Sequence, residues 1–303
     1  MDTAVSAQSS AHQPESFALI LGVAAPITWG FTGIFVHLLH GIPTLAIVVA
    51  RLLIAALVLL PWAVLRQGKL QDAIRSPLAA AMGAYYILAT EAFARVPAVD
   101  VTLLIGSAPV LAVGLERLRG QRPVPQQVIG AIVAVLGLAL FLRPGDTLSS
   151  DRASGYMFAL GAAAASAIYA VGLRARTQSP RPLDPLALTV CACVLGAVAS
   201  FFLLGLTVFV TALPKPSATQ LVYLALLGCV STAIPTLAFG VASARLPSVL
   251  TTSLGLMTPL FAALFAGLIV NEWPAPDALP GALVAIAGIV IVLRAPPRLS
   301  GGT

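Results

Sequence analysis

Apolar residues along this chain neither alternate nor keep a single helical stripe. They come in unbroken runs of about 18–27 residues, parted by short stretches that hold charge, Pro or Gly. Ten such runs lie at about 17–38, 43–65, 77–96, 99–116, 125–143, 154–174, 185–211, 218–242, 247–270 and 276–294. A helix needs about 20 residues to cross the hydrocarbon core, so the pattern predicts ten transmembrane helices. The seventh run is long, which implies tilt or a frayed end. The first fifteen residues, MDTAVSAQSSAHQPE, are polar and carry no Lys or Arg. A secretory signal needs a basic start before a short apolar core, so the first run reads as a retained span.

The apolar pattern occurs twice. Residues 130–143 read GAIVAVLGLALFLR and residues 281–294 read GALVAIAGIVIVLR, identical at seven of fourteen positions. Upstream, ARVPAVDVTLLIGSAPVL (94–111) aligns with ARLPSVLTTSLGLMTPLF (244–261), matching Pro97 to Pro247, Thr102 to Thr252 and Pro109 to Pro259. Each copy holds five spans. Five is odd, so the second copy must run through the membrane in the opposite sense. Loop charge agrees. With the N-terminus cytoplasmic, one side carries Arg66, Lys69, Arg75, Arg117, Arg119, Arg122, Arg174, Arg176, Arg181, Arg245, Arg294 and Arg298, against Arg95, Arg143, Arg152 and Lys215 on the other. That bias places both termini in the cytoplasm. RLRGQRP (117–123) is basic, whereas its counterpart NEWPAPD (271–277) has no basic residue and faces out. Inverted duplication is a common plan for secondary transporters that alternate access around a site between the halves. The expected layout is a cytoplasmic tail over 1–15, a first repeat over 16–147, a second over 148–296 and a cytoplasmic tail over 297–303.

Composition narrows the class further. Of 303 residues, 59% are hydrophobic and 9% charged, which only a polytopic membrane protein fits. The net charge of +6 sits in short loops rather than in a patch, which excludes nucleic acid as a partner and leaves the lipid bilayer. Cys191, Cys193 and Cys229 fall inside spans; the first two are two apart and point to opposite sides, so no metal site is expected. No P-loop or dinucleotide fingerprint appears, so no cofactor is expected and any pumping must be secondary or powered elsewhere.

The layout resembles the drug/metabolite transporter superfamily, in its EamA type with two five-helix repeats. The residues that carry the resemblance are Trp29-Gly30, Arg51, the pairs Pro97/Pro109 and Pro247/Pro259, and Glu272 followed by Gly281; it covers about Phe17 to Arg294. The acidic residue such families place before the fifth helix would fall at Gln121, and the nearest acid here is Glu116. The resemblance implies a ten-helix bundle in which spans 3, 4, 8 and 9 line a central cavity that spans 1, 2, 6 and 7 open and close. It also implies movement of small metabolites.

Candidate residues follow from what is costly or unusual inside a span. Pro109 and Pro259 remove their own N–H and free the carbonyls of Ile105 and Gly255, a helix-kink or gating feature tolerated where backbone lines a wet cavity. Thr102, Gly106 and Pro109 share a face, as do Thr252, Gly255 and Pro259; small residues on one face equally suit close helix packing. Trp29, Tyr85, Tyr86 and Tyr169 lie away from the interfaces that attract Trp and Tyr, so they are candidate pocket walls as well as candidate core. Thr90 shares the Tyr86 face. Arg51 and Glu91 lie roughly 9–12 Å from the outer ends of their spans. They could pair across spans 2 and 3; a local Glu91–Arg95 pair at i,i+4 is the easier geometry. A lone acid in a span admits proton coupling, although one neutralised by Arg would titrate too low for it.

The missing charges restrict the cargo. Both lysines, Lys69 and Lys215, are in loops, so phosphorylated cargo would find only Arg51 as a clamp. An organic cation would need an acid among aromatics, and Glu91 is the only candidate. A neutral, zwitterionic or apolar small molecule such as an amino acid fits best, with multidrug or organic-cation efflux as the rival. An intramembrane enzyme would need converging catalytic groups; His12, His37 and His40 sit in the tail or at the edge of the first span, so no enzyme is expected. A sensor has no evident need for an inverted repeat. The Ala-, Gly- and Pro-rich composition with short loops suggests a bacterial inner membrane. Glycines on spans 5 and 10 could pack within the chain or against another copy.

Overall fold

The computed structural model describes residues 2–65, 67–96, 98–142, 153–177, 179–180, 182–208, 215–271 and 273–296. Pro97, Glu272, the boundary expected at 147/148 and the tail 297–303 therefore lie outside the described residues.

Among the described residues fifteen α-helices follow one another. The first repeat holds α1 (Asp2–Gly30), α2 (Thr32–Leu38), α3 (Thr44–Val64), α4 (Gln67–Ile74), α5 (Pro77–Arg95), α6 (Ala98–Ile105), α7 (Ala108–Leu118) and α8 (Pro125–Leu142). The second holds α9 (Ala153–Thr177), α10 (Pro185–Val208), α11 (Ala218–Gly228), α12 (Ile234–Arg245), α13 (Ser248–Gly255), α14 (Met257–Val270) and α15 (Leu279–Leu293). A π-helical turn, Cys229–Ala233, joins α11 to α12.

Among the described residues nine stretches are long and apolar enough to cross a membrane. The third expected span, α5, is not one of them, although its 19 residues form one continuous helix. Glu91 and Arg95 in its last turns dilute its apolar character. The apolar part of α1 starts at Glu15, and the span continues through α2 to Val36. The sequence treats the stretch after span 2 as loop; α4 occupies it.

Helix starts follow local chemistry. Ser76 precedes Pro77 and its Oγ accepts from the Leu78 N–H at 3.3 Å. Asp184 precedes Pro185 and accepts from the Ala187 N–H at 3.0 Å. Ser217 and Gln220 form a reciprocal capping box at the start of α11. Such caps satisfy orphan N–H groups and stabilise a helix by about 1 kcal/mol each.

Packing repeats with the sequence. α5 lies on α9 as α12 lies on α1, and α7 lies on α9 as α14 lies on α1. α3 meets its own equivalent α10, and α8 meets its equivalent α15. The last contact shows the inversion directly. Gly130 approaches Gly288 and Val292, Gly137 approaches Ala285, and Gly281 approaches Phe141, so numbers rise along one helix as they fall along the other. A Cβ on Gly137 would lie 2.1 Å from the Ala285 backbone nitrogen, and one on Gly288 would lie 2.3 Å from that of Ala134. The repeated GAxVA…G sentence is thus the seam where two antiparallel, equivalent helices touch backbone to backbone. Small residues permit that approach in a bilayer, where packing rather than water exclusion drives helix association.

Candidate substrate site

Spans 4 and 9 kink just before their prolines, where the helical hydrogen-bond ladder is interrupted while the backbone stays in the right-handed helical region. Span 4 is interrupted at Gly106–Ser107 between α6 and α7, and span 9 at Leu256 between α13 and α14. Pro109 and Pro259 fall in the first turn after the interruption, where a missing N–H is least costly. The interruptions occupy equivalent positions in the two repeats and meet: Gly106 packs against Leu256 and Leu138.

The interruptions differ in what they leave open. Gly106 is buried, and a Cβ there would lie 2.7 Å from Leu138 Cδ2, so it serves contact between the halves and is not beside open space. Gly255 is half-buried and a Cβ there would meet nothing within 4 Å. Every α13 residue before it, Ser248 through Leu254, is buried. Thr252 is buried and its hydroxyl donates back to the carbonyls of Ser248 and Val249, at 2.8 and 3.1 Å. Thr102 is half-buried.

The aromatics gather into one wall. Trp29 packs against Phe239 with ring centroids 5.5 Å apart, and Phe239 stacks on Tyr169 at 6.0 Å. Tyr85 meets Tyr86 edge to face at 5.3 Å. Trp29 and Tyr85 stay half-exposed, while Tyr86 and Tyr169 are buried. Beyond Trp29, Phe31 stacks on Phe265 at 4.0 Å, and Phe265 on Phe261 at 6.1 Å, joining span 1 to span 9. Tyr169 is fully buried, with the Thr189 hydroxyl of α10 beside its own.

Arg51 and Glu91 do not pair. Glu91 forms its ion pair with Arg95, one helical turn on, and the Arg95 guanidinium lies 4.7 Å from the centre of the Phe158 ring. A single turn brings Glu91 and Arg95 together without ordering two helices, so the local pair wins. Thr90 is half-buried beside them.

Arg51 instead reaches span 8, for a reason rooted in Pro235. Proline has no N–H, so the carbonyl four residues back, on Ser231, loses its helical partner. Arg51 Nη2 donates to that oxygen at 2.9 Å, and Arg51 Nε donates to Thr232 Oγ1 at 2.8 Å. Thr232 Oγ1 in turn donates to the Leu227 carbonyl, and Ser231 Oγ donates to the Thr28 carbonyl of α1. Thr236 donates to the Thr232 carbonyl at 2.5 Å, which spends its one proton, so the 2.5 Å contact between Tyr86 and Thr236 has the tyrosine as donor. The Arg51 guanidinium carbon lies 5.2 Å from the centre of the Tyr86 ring. The π turn is thus held by a polar network that reaches spans 1, 2 and 3. Wide turns of this kind recur at functional sites.

The run STAIPT (231–236) is the part of this site that the sequence reading missed. The logic applied to Pro109 and Pro259 would have found it, because Pro235 also frees a carbonyl in a span, and polar residues flank it. Glu116, noted in the sequence only as the acid nearest the fifth helix, is buried and partnered at the end of α7.

Inverted five-span halves, each with a proline-interrupted span at the same place, define an all-α multi-pass membrane protein of the transporter kind. The chain belongs to the EamA-like transporter family, whose pattern matches residues 16–143 and again 153–294. It is a transporter and not an enzyme, which fits a small-molecule substrate and a lipid bilayer as its partners. A protein of Streptantibioticus cattleyicolor (strain ATCC 35852 / DSM 46488 / JCM 4925 / NBRC 14057 / NRRL 8057), named "Probable terminal-alkyne amino-acid exporter", is 30% identical over 222 residues, which is 71% of each chain. A solved crystal structure of a protein 17% identical to this one has a TM-score of 0.77 and covers 92% of this chain and 98% of its own, so it shares the fold.

Proposed function

We propose that the protein is a secondary transporter that exports a neutral or zwitterionic small metabolite of the amino-acid class by alternating access. The observation that carries this reading is the inventory of the interior. Around the interrupted spans and the aromatic wall stand Trp29, Tyr85, Tyr86, Phe239 and the hydroxyls of span 8, with Arg51 as the buried cation. An aromatic pocket with a few placed polar groups suits a small, partly apolar molecule. The name of the relative from Streptantibioticus supports the amino-acid class and the outward direction. The loop charge bias supports cytoplasmic termini in a bacterial inner membrane.

Efflux of organic cations is the weaker reading. It requires an acid among aromatics, and Glu91 is occupied by Arg95.

Counterflow in proteoliposomes tests the choice. Vesicles are preloaded with unlabelled L-leucine, L-phenylalanine, L-propargylglycine or tetraphenylphosphonium, and entry of the labelled form is followed. Exchange of one or more amino acids is expected. Exchange of tetraphenylphosphonium alone would replace this reading with drug efflux.

A further inference from the structure

From the unspent donors of Arg51 we infer that this residue is the receptor for the substrate's carboxylate; the inference rests on the amino-acid reading above. A guanidinium has five N–H donors in a fixed fork. Among the described residues Arg51 uses two of them, one on Thr232 Oγ1 and one on the Ser231 carbonyl, and both acceptors are neutral. Its ring contact with Tyr86 is also to a neutral group. No carboxylate among the described residues lies within ion-pair distance of it, and only 7% of its surface is exposed.

A cation buried at membrane depth without an anion is expensive, and such charges mark substrate or ion pathways. A purely structural account covers part of the geometry. Holding the Ser231 carbonyl needs one neutral donor, which Gln or Asn would supply without burying a charge. The remaining N–H groups and the charge itself call for an anion that is present only part of the time.

The surroundings select the kind of anion. Thr232, Thr236, Ser231 and Tyr86 have each committed their proton to another group, so the hydroxyls offer no donors of their own. Arg51 therefore supplies the spare donors of this cluster, in the planar geometry that fits a carboxylate. One guanidinium with neutral neighbours matches one negative charge. A phosphate ester would ask for more. Tyr86, Trp29 and Phe239 then stand beside the bound carboxylate as an apolar wall for a side chain. Contact with the π turn gives the binding event a mechanical consequence, because the same guanidinium holds spans 2 and 8 together.

The test compares acids with their carboxamides. L-leucine, L-phenylalanine and L-propargylglycine, each beside its carboxamide, are titrated against the purified full chain and against Arg51→Gln and Arg51→Lys, by ligand-induced thermal shift and by competition in counterflow. The wild type is expected to prefer acid over amide by roughly tenfold or more, as a charge-assisted pair requires. Arg51→Gln should lose that preference, with the acid weakened roughly tenfold and the amide changed by less than about threefold. Arg51→Lys keeps the charge, loses the fork and should fall between them; it carries the test if Arg51→Gln does not fold. Equal weakening of acid and amide in the variants, or no acid preference in the wild type, overturns the inference and leaves amino-acid transport standing. Failure of the folded wild type to bind any acid removes both.

Discussion

At the scale of the residue, one missing proton organises the site. Pro235 cannot donate to the Ser231 carbonyl, the turn widens, and Arg51 crosses from span 2 to fill the gap. Pro235→Ala returns an N–H to that position and lets an ordinary α-turn compete with Arg51. The variant should melt at the same temperature or higher, while counterflow slows roughly tenfold; unchanged counterflow would deny the π turn any role in transport. Glu91 belongs to a different setting. Its pair with Arg95 is part-exposed, and such pairs contribute about 0–1 kcal/mol. Glu91→Gln should leave the melting temperature unchanged and counterflow within about twofold. A loss beyond tenfold would make this carboxylate a coupling site after all.

Helices carry the next level. Gly130, Gly137, Gly281 and Gly288 bring α8 and α15 into backbone contact. Adding one methyl at Gly137 forces the pair apart, and overpacking of this kind costs about 1–3 kcal/mol. Gly137→Ala should lower the melting temperature in detergent. Gly205→Ala, on α10 with nothing within 4 Å of the new Cβ, should leave it unchanged or raise it, because Ala favours helix over Gly by about 0.5–1 kcal/mol. Loss at both sites alike would mean that the seam is not special. The spans and the duplication were legible in the sequence because apolar runs and repeated small residues are local signals; the seam was not, since the glycines of spans 5 and 10 suited contact with another copy equally well. The interruption of spans 4 and 9 was legible, because proline marks where an N–H is lost; the meeting of the two interruptions, Gly106 against Leu256, was not. The partners of Arg51 were not legible, since Ser231 and Thr232 lie 180 and 181 residues away and the sequence offered Glu91 as a nearer charge. Tyr86 and Trp29 could be picked out as aromatics inside spans, whereas their assembly with Phe239 needed the fold.

For the whole molecule, the contact pattern pairs each half with the other: α5 on α9 and α12 on α1 exchange roles under the inversion. At one end, Arg174 donates to the carbonyls of Ala244 and Arg245, and Thr177 donates to the Ala244 carbonyl at 2.8 Å, tying the end of α9 to the end of α12. Alternating access requires such ties to open while their counterparts at the other end close, around an interior that stays in place. Weakening the tie with Arg174→Ala, which leaves the Thr177 bond in place, should therefore shift the balance between the two states. It should change the rate at which a maleimide reaches an interior cysteine from the side of the tie more than it changes the melting temperature; equal labelling with and without the substitution would show that the tie does not gate.

Gly255 offers the most direct test, because a side chain added there meets open space beside the interruption of span 9. In a chain with Cys191, Cys193 and Cys229 replaced by Ala, Gly255→Cys is exposed to a membrane-impermeant maleimide from the outer side in whole cells and from the inner side in inverted vesicles. The account predicts labelling from each side in turn and protection by the amino acid that exchanges in counterflow. Labelling confined to one side under every condition, and indifferent to that amino acid, would contradict a single interior site reached alternately from both faces of the membrane.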